Sequence, residues 1–415
     1  MEESLEFIFC IFKEISPLRH GCMATVEMTM SMNKSFVYNY LKRRDAALDR
    51  EQQEALAAEI FEIKKRAMAN LPELIKAVKF NLEKNGAEVH VVKDKAAAAE
   101  KIKEIVKNSK VIVKSKSNFL DSLAVKDFLG ERLAETDLGA YIVSQIGGDS
   151  DHPVLPAIDL TAEEIASKLQ KKTGRKYPGE PKALVDVLKQ EIKEKILIAE
   201  IGLTGANAVT ADGQIMLLEN EGNISLITRL PETHIAVCGI EKIVDSAPAA
   251  LKIAQAAAVW GTGQSWPSYV SLISGPSKTA DIENVLVQGV QGAQRLALIL
   301  VEGEVSAKIG TELESMLYCI HCGACYDLCP SWNCSGEMPK VNSEKTVFNC
   351  TLCQNCTLNC PARINWQEIA RLRRNYFTET GKNTEQNLKM AENVRQFGNS
   401  FGEIGPTPPA ELFCC

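Results

Sequence analysis

Eight cysteines toward the C-terminus stand at the spacing of iron–sulfur ligands. Cys319, Cys322, Cys325 and Cys329 run into Pro330, and the same Cys-x2-Cys-x2-Cys-x3-Cys-Pro string returns as Cys350, Cys353, Cys356, Cys360 and Pro361. Three Cys at i, i+3 and i+6 wrap one loop around a cubane and offer soft thiolates to three of its irons. The fourth Cys is carried off by the proline turn and normally ligates the other cluster. The spacing therefore assigns Cys319, Cys322, Cys325 and Cys360 to one 4Fe-4S cluster, and Cys350, Cys353, Cys356 and Cys329 to a second. Gly323 lets the first loop pass close to a sulfide, having no Cβ to clash. A pair of zinc sites would take ligands in two pairs and leaves the third Cys and the Cys-Pro step unexplained. A disulfide framework belongs to short secreted chains. Two adjacent cubanes point to one-electron transfer.

Other residues could bind or react. Gly275, Ser277, Lys278 and Thr279 sit in a Gly-Pro-Ser-Lys-Thr string ahead of an expected helix with Asp281 in its first turn. Free N–H groups there would suit a carboxylate or phosphate, or the string is a capping loop. It lacks the second glycine of a phosphate-binding loop. Glu219 and Glu221 flank Asn220 after a strand and read as solvated turn acids. Gly202, Gly205 and Asn207 suggest a close backbone approach in the same cleft. Lys114 and Lys116 end a strand, where open α/β sheets place ligands, or are solvated charges. His152 and His234 read as structural imidazoles and Cys238 as core. Gly261-Thr-Gly263 fails as a dinucleotide fingerprint because Trp266 takes the place of the third glycine. With no flavin or nicotinamide motif, two-electron chemistry falls to a partner. Cys334 lies near the first motif, and Cys414 and Cys415 end the chain.

The elements that position these residues are alternating strands and helices. Apolar residues at Leu48, Leu56, Ile60, Ile63 and Met68 predict helix from Ser35 to Phe80, with a new start at Pro72. Strands are expected at Glu88–Val92, Val111–Val113, Ala140–Val143, Ala208–Thr210, Gln214–Leu218, Ile235–Cys238 and Leu296–Leu300, with a hairpin turn around Ala211-Asp-Gly213. Strand–helix–strand order predicts a parallel sheet. Tyr177–Pro181 reads as a loop and Trp366–Phe377 as an amphipathic helix closing the cysteine module. The expected domains are an N-terminal arm over 1–31, an α/β domain over 32–305, a two-cluster module over 306–378 and a polar tail over 379–415.

Composition narrows the class. The chain has 415 residues, 45% hydrophobic and 24% charged, with a net charge of −6. That is globular and offers no basic block for nucleic acid. No apolar run reaches a membrane span, and Phe7–Phe12 is too short and follows acids rather than a basic start. A cytoplasmic chain is expected, reaching a membrane only through partners.

Several strings together resemble one family. They are Lys114-Ser-Lys-Ser-Asn118, Glu135-Thr-Asp-Leu-Gly-Ala-Tyr-Ile-Val143, Gly202-Leu-Thr-Gly-Ala-Asn207, Glu219-Asn-Glu-Gly-Asn223, Leu230-Pro-Glu-Thr-His-Ile-Ala236, Gly239-Ile-Glu-Lys-Ile-Val244 and Gly275–Glu283. In this order, over about Ser35 to Phe377, they resemble the lactate-utilisation (LUD) domain family, and the appended cysteine motifs resemble its iron–sulfur subunits. The resemblance implies a NagB/RpiA/CoA-transferase-like α/β domain, in which Glu219 or Glu221 would be a carboxylate nucleophile, followed by a small, mainly helical, ferredoxin-like module with two 4Fe-4S clusters. It implies electron transfer in the oxidation of L-lactate to pyruvate, with other subunits that include a flavin- or cluster-bearing partner. Two alternatives remain open: an enzyme acting on a small carboxylate or thioester, and a redox-sensing or structural cluster protein. The arm and the short Cys329–Cys350 spacing depart from the family pattern, and nothing beyond Phe377 is carried over.

Overall fold

The computed structural model describes residues 37–147, 157 and 160–403. The arm over 1–31, His152, Cys10, Cys22, Cys414 and Cys415 lie outside the described residues, as does the side chain of Cys334. The chain divides into two compact units, one of Arg43–Gly323 with Cys360–Ile364, the other of Ala324–Asn359 with the chain from Asn365 and residues up to Lys42. No described helix is long and apolar enough to cross a membrane.

The larger unit is an α/β body around a parallel sheet. Its strands in chain order are β1 (Glu88–Val92), β2 (Ile112–Lys114), β3 (Leu133–Glu135), β4 (Ile201–Gly205), β5 (Ala208–Thr210), β6 (Gln214–Glu219), β7 (Thr233–Gly239), β8 (Ile243–Val244), β9 (Tyr269–Ile273), β10 (Lys278–Thr279), β11 (Val287–Gln288) and β12 (Arg295–Val301). The central sheet runs β1-β12-β7-β4-β2-β3, every pair parallel. All seven residues of β7 are buried, as expected of a central strand covered on both faces. A smaller sheet runs β8-β5-β6-β9, with β5 and β6 joined by the expected hairpin, and Gly213 takes φ +87° in its turn.

Adjacent residues of β2 face opposite cores. Ile112 packs with Ala98, Ile102 and Val106 of α3 (Lys95–Val106), whereas Val113 packs with Tyr141 and Ile142 of α4 (Leu138–Ile146) and with α5 (Ala162–Thr173) and α6 (Pro181–Leu197). The predicted amphipathic helix divides into α1 (Arg50–Ala69) and α2 (Leu71–Lys84). Asp49 and Gln52 start α1 with a reciprocal capping box.

Two predicted elements change. Ala140–Val143 is not a strand but lies within α4, because Asp137 caps the Ala140 N–H at 2.9 Å and Gly147 ends the helix at φ +74°. The tail is not all irregular. After α8 (Trp366–Glu379), Thr384 caps a further helix, α9 (Glu385–Phe397).

Candidate functional site

The two cysteine motifs fold alike. The third position of each, His321 and Leu352, has φ of +58° and +57°, and the fifth, Gly323 and Gln354, has +89° and +69°. A 3-10 turn precedes each copy, Glu314–Tyr318 and Val347–Asn349, and a four-residue helix within each, Ala324–Asp327 and Asn355–Leu358, carries its third cysteine. Left-handed backbone at non-glycine residues costs about 1–2 kcal/mol each. His321, Leu352 and Gln354 therefore adopt it against their local preference, and such outliers mark functional loops.

The thiols fall into two neighbourhoods. In the larger unit, burial pushes the Cys319 thiol up to about 11, and the nearby Cys360 sulfur adds to the shift. In the smaller unit, burial pushes Cys356 up to about 12, with Cys350, Cys353 and Cys329 acting in the same direction. Cys329 is likewise raised by burial and by Cys353 and Cys350. None of the eight motif cysteines is joined in a disulfide. Among the described residues, no three His, Cys, Asp or Glu side chains converge as a single metal ion requires.

The start of the first motif is braced within the larger unit, and most of the second within the smaller. Ahead of Cys319, Tyr318 meets Phe61 of α1 edge-on at 5.7 Å and donates to Glu314 at 2.7 Å. Gly261, in α7 (Ala247–Thr262), is where a Cβ would stand 2.8 Å from the Cys322 carbonyl oxygen, so this glycine serves close packing. Lys64 of α1 is buried, donates to the Glu241 carbonyl and lies in the electrostatic neighbourhood of Cys319. Burial holds its ammonium down at about 8, against the pull of Glu241 and Cys319. In the smaller unit, Arg374 of α8 donates to the carbonyls of Val347, Phe348 and Cys350. Gln367 donates to the Leu352 carbonyl at 2.9 Å and Asn355 to that of Leu328 at 3.3 Å.

A second constellation lies at the carboxyl ends of β2 and β3. Lys114 is 1% exposed, with its Nζ 3.0 and 3.1 Å from the two Glu135 oxygens and 2.9 Å from Asp121. Burial would lower its pKa, but Glu135 and Asp121 more than offset this and hold the ammonium above its usual range. Burial pushes the Glu135 carboxyl up, against the opposing pull of Lys114. The Lys116 Nζ and the Ser115 hydroxyl are buried without hydrogen-bond partners. Gly205 admits Ser117, whose Oγ would lie 2.1 Å from a Cβ there, and Gly202 admits the Ile227 carbonyl at 1.8 Å. Asn207 accepts the Leu218 N–H at 3.0 Å.

The carboxylates singled out in the sequence serve as backbone acceptors. Glu219 takes the Ser225 N–H at 2.9 Å and the Ser225 hydroxyl, and Glu221 takes the Leu138 N–H at 3.2 Å. The helix start expected after Thr279 is absent. Lys278 and Thr279 form β10, paired with β11, and Asp281 donates its N–H to Thr279 Oγ1. The Ser277 N–H, expected free, donates to the Ala293 carbonyl at 2.9 Å. Gly275 and Ser277 instead line a cavity with Arg229 and His234, while Lys278 is exposed. His234 is buried and shares a 2.8 Å hydrogen bond with Thr204, and Cys238 is buried in β7.

Sequence reasoning missed Lys64, Asp121, Glu135 and Arg229. Lys64 carried a signal, since it follows Ile60 by four residues on the apolar stripe of α1. The other three are visible only once β2, β3 and β7 are paired.

This α/β body with appended cysteine loops is that of a LUD-domain protein. The LUD domain model matches residues 75–301, and the chain belongs to that family. It is similar to Lactate utilization protein B of Geobacillus sp. (strain WCH70), 30% identical over 363 residues, covering 81% of this chain and 74% of that protein. Lactate utilization protein B of Bacillus subtilis (strain 168) is 29% identical over 363 residues, with 81% and 74% covered. The uncharacterized electron transport protein YkgF of Escherichia coli (strain K12) is 27% identical over 402 residues, with 90% and 81% covered.

Proposed function

We propose that this chain is an electron-transfer subunit in the oxidation of L-lactate to pyruvate and relays electrons through two 4Fe-4S clusters. Cys319, Cys322, Cys325 and Cys360 would hold one cluster, and Cys350, Cys353, Cys356 and Cys329 the other. The observation that carries this reading is the repeated backbone of the two motifs, left-handed at the same two positions in each. The grouping of Cys360 with Cys319, and of Cys329 with Cys350, Cys353 and Cys356, supports crossed ligation. The names of the relatives, lactate utilization protein B and an electron transport protein, support a role in lactate utilisation and electron transfer.

Lactate gives up two electrons, in effect as a hydride and a proton, a step suited to a flavin or nicotinamide. The clusters take electrons singly, so another subunit performs the hydride step and passes the electrons on. Anaerobic assay of the chain with L-lactate and a dye tests this. The chain alone should give no dye reduction, and its clusters should be reduced once the partner subunits are added. Lactate turnover by the chain alone would contradict a carrier role.

A further inference from the structure

We propose that the cavity at the amino ends of β7 and β12 is a binding site for a small organic carboxylate. It is open to solvent and has a volume of about 390 Å3, near the lower end of the roughly 300–1,000 Å3 of small-molecule pockets. Leu272, Ala293 and Leu296 give it apolar walls, and Arg229, His234 and Ser277 give it polar groups. No Asp or Glu lines it, so Arg229 is the sole formal charge among its lining residues.

Among the described residues, no carboxylate forms an ion pair with the solvent-exposed Arg229. Its Nη1 donates to the Ser225 carbonyl at 2.8 Å and its Nη2 to the Ser271 hydroxyl at 3.3 Å, both neutral acceptors. Guanidinium has five N–H donors and is matched to carboxylate geometry. On the same wall, His234 is 1% exposed, with one ring nitrogen engaged by Thr204 and Nδ1 without a partner. Burial and the Arg229 charge hold the imidazole neutral, at about 3. That nitrogen is sealed from solvent, so the neutral ring serves as a wall of the cavity and leaves the guanidinium as the polar anchor. Ser277 spends its backbone N–H and C=O on Ala293 and Gly289, which leaves its hydroxyl for a ligand.

One cation beside apolar walls suits a singly charged acid with a short hydrocarbon body better than a phosphate dianion. The inference stands independently of the cysteine loops, since it uses none of their residues. It relocates the anion chemistry of Gly275 and Ser277 from free N–H groups to a guanidinium the sequence did not reveal.

Isothermal titration calorimetry of the full chain with propionate, L-lactate and inorganic phosphate tests it. Propionate or L-lactate should bind one to one and more tightly than phosphate. Arg229→Gln should weaken that binding by about tenfold or more, the loss of roughly one charge-assisted hydrogen bond. Leu272→Glu, at an exposed strand position, places a carboxylate at the cavity and should weaken it by repulsion; it decides the matter if the Arg229 variant melts differently from wild type. Absence of carboxylate binding, phosphate binding as tight as carboxylate, or unchanged affinity in a natively melting variant would overturn the proposal.

Discussion

Lys114→Met should destabilise the α/β body more than any surface substitution. The ammonium lies 3.0 Å from Glu135, whose side chain is 14% exposed, and 2.9 Å from Asp121, which is 54% exposed. At an effective dielectric of about 20, charges 3.0 Å apart attract by about 5–6 kcal/mol before desolvation is counted. Removing one partner of such a pair strands the other, with a typical loss of about 3–5 kcal/mol. The half-exposed Asp121 adds about 1 kcal/mol at most. Met keeps most of the side-chain volume, so a cavity contributes little. Glu135→Gln in the same chain removes the stranded charge and should restore about half of the loss, about 2 kcal/mol.

The pH dependence follows from Glu135. Its carboxyl is raised by burial, and loss of Lys114 raises it further. A folded pKa above the unfolded value of about 4.3 means stability present at low pH and lost as pH rises through the folded value. The defect of Lys114→Met should therefore shrink on acidification toward that unfolded value. Urea denaturation at two pH values, followed by far-ultraviolet dichroism, reads all three quantities. A Lys114→Met chain within about 1 kcal/mol of wild type, or a double variant no more stable than the single, would refute this account of the ion pair.

Two further outcomes follow from the cysteine loops. Cys329→Ser should remove the cluster held by Cys350, Cys353 and Cys356 and spare the other, and Cys360→Ser should do the reverse; electron paramagnetic resonance of the reduced variants distinguishes the two, and loss of the same cluster in both would contradict crossed ligation. Lys64→Met removes a buried cation beside Cys319, so it should lower the midpoint potential of that cluster by about 50–100 mV at an effective dielectric of about 20. Redox titration at unchanged iron content reads the shift, and an unmoved potential would place the Lys64 charge too far from the cluster to act on it.

Strong local patterns carried most of the fold into the sequence. β1, β5, β6, β7 and β12 were legible as apolar runs bounded by turns, and α1 and α8 by their periodicity. β3 and β4 were not, because three residues at Leu133–Glu135 are too few for a period and Ile201–Gly205 carries two glycines. α4 was misread because Tyr141, Ile142 and Val143 favour strands, while the deciding residues, Asp137 and Gly147, lie at its ends. The cysteine spacing was legible because the eight thiols are close in sequence. The Lys114–Glu135–Asp121 cluster and the Arg229 cavity were not, since strand pairing and crossovers assemble them from distant segments.

The central claim, two cubanes on one chain, is tested most directly by counting iron and acid-labile sulfide in anaerobically purified protein. Two 4Fe-4S clusters predict about eight of each per chain. A colourless, zinc-loaded protein that takes up no iron on reconstitution, or a limit of about four irons per chain, would contradict it.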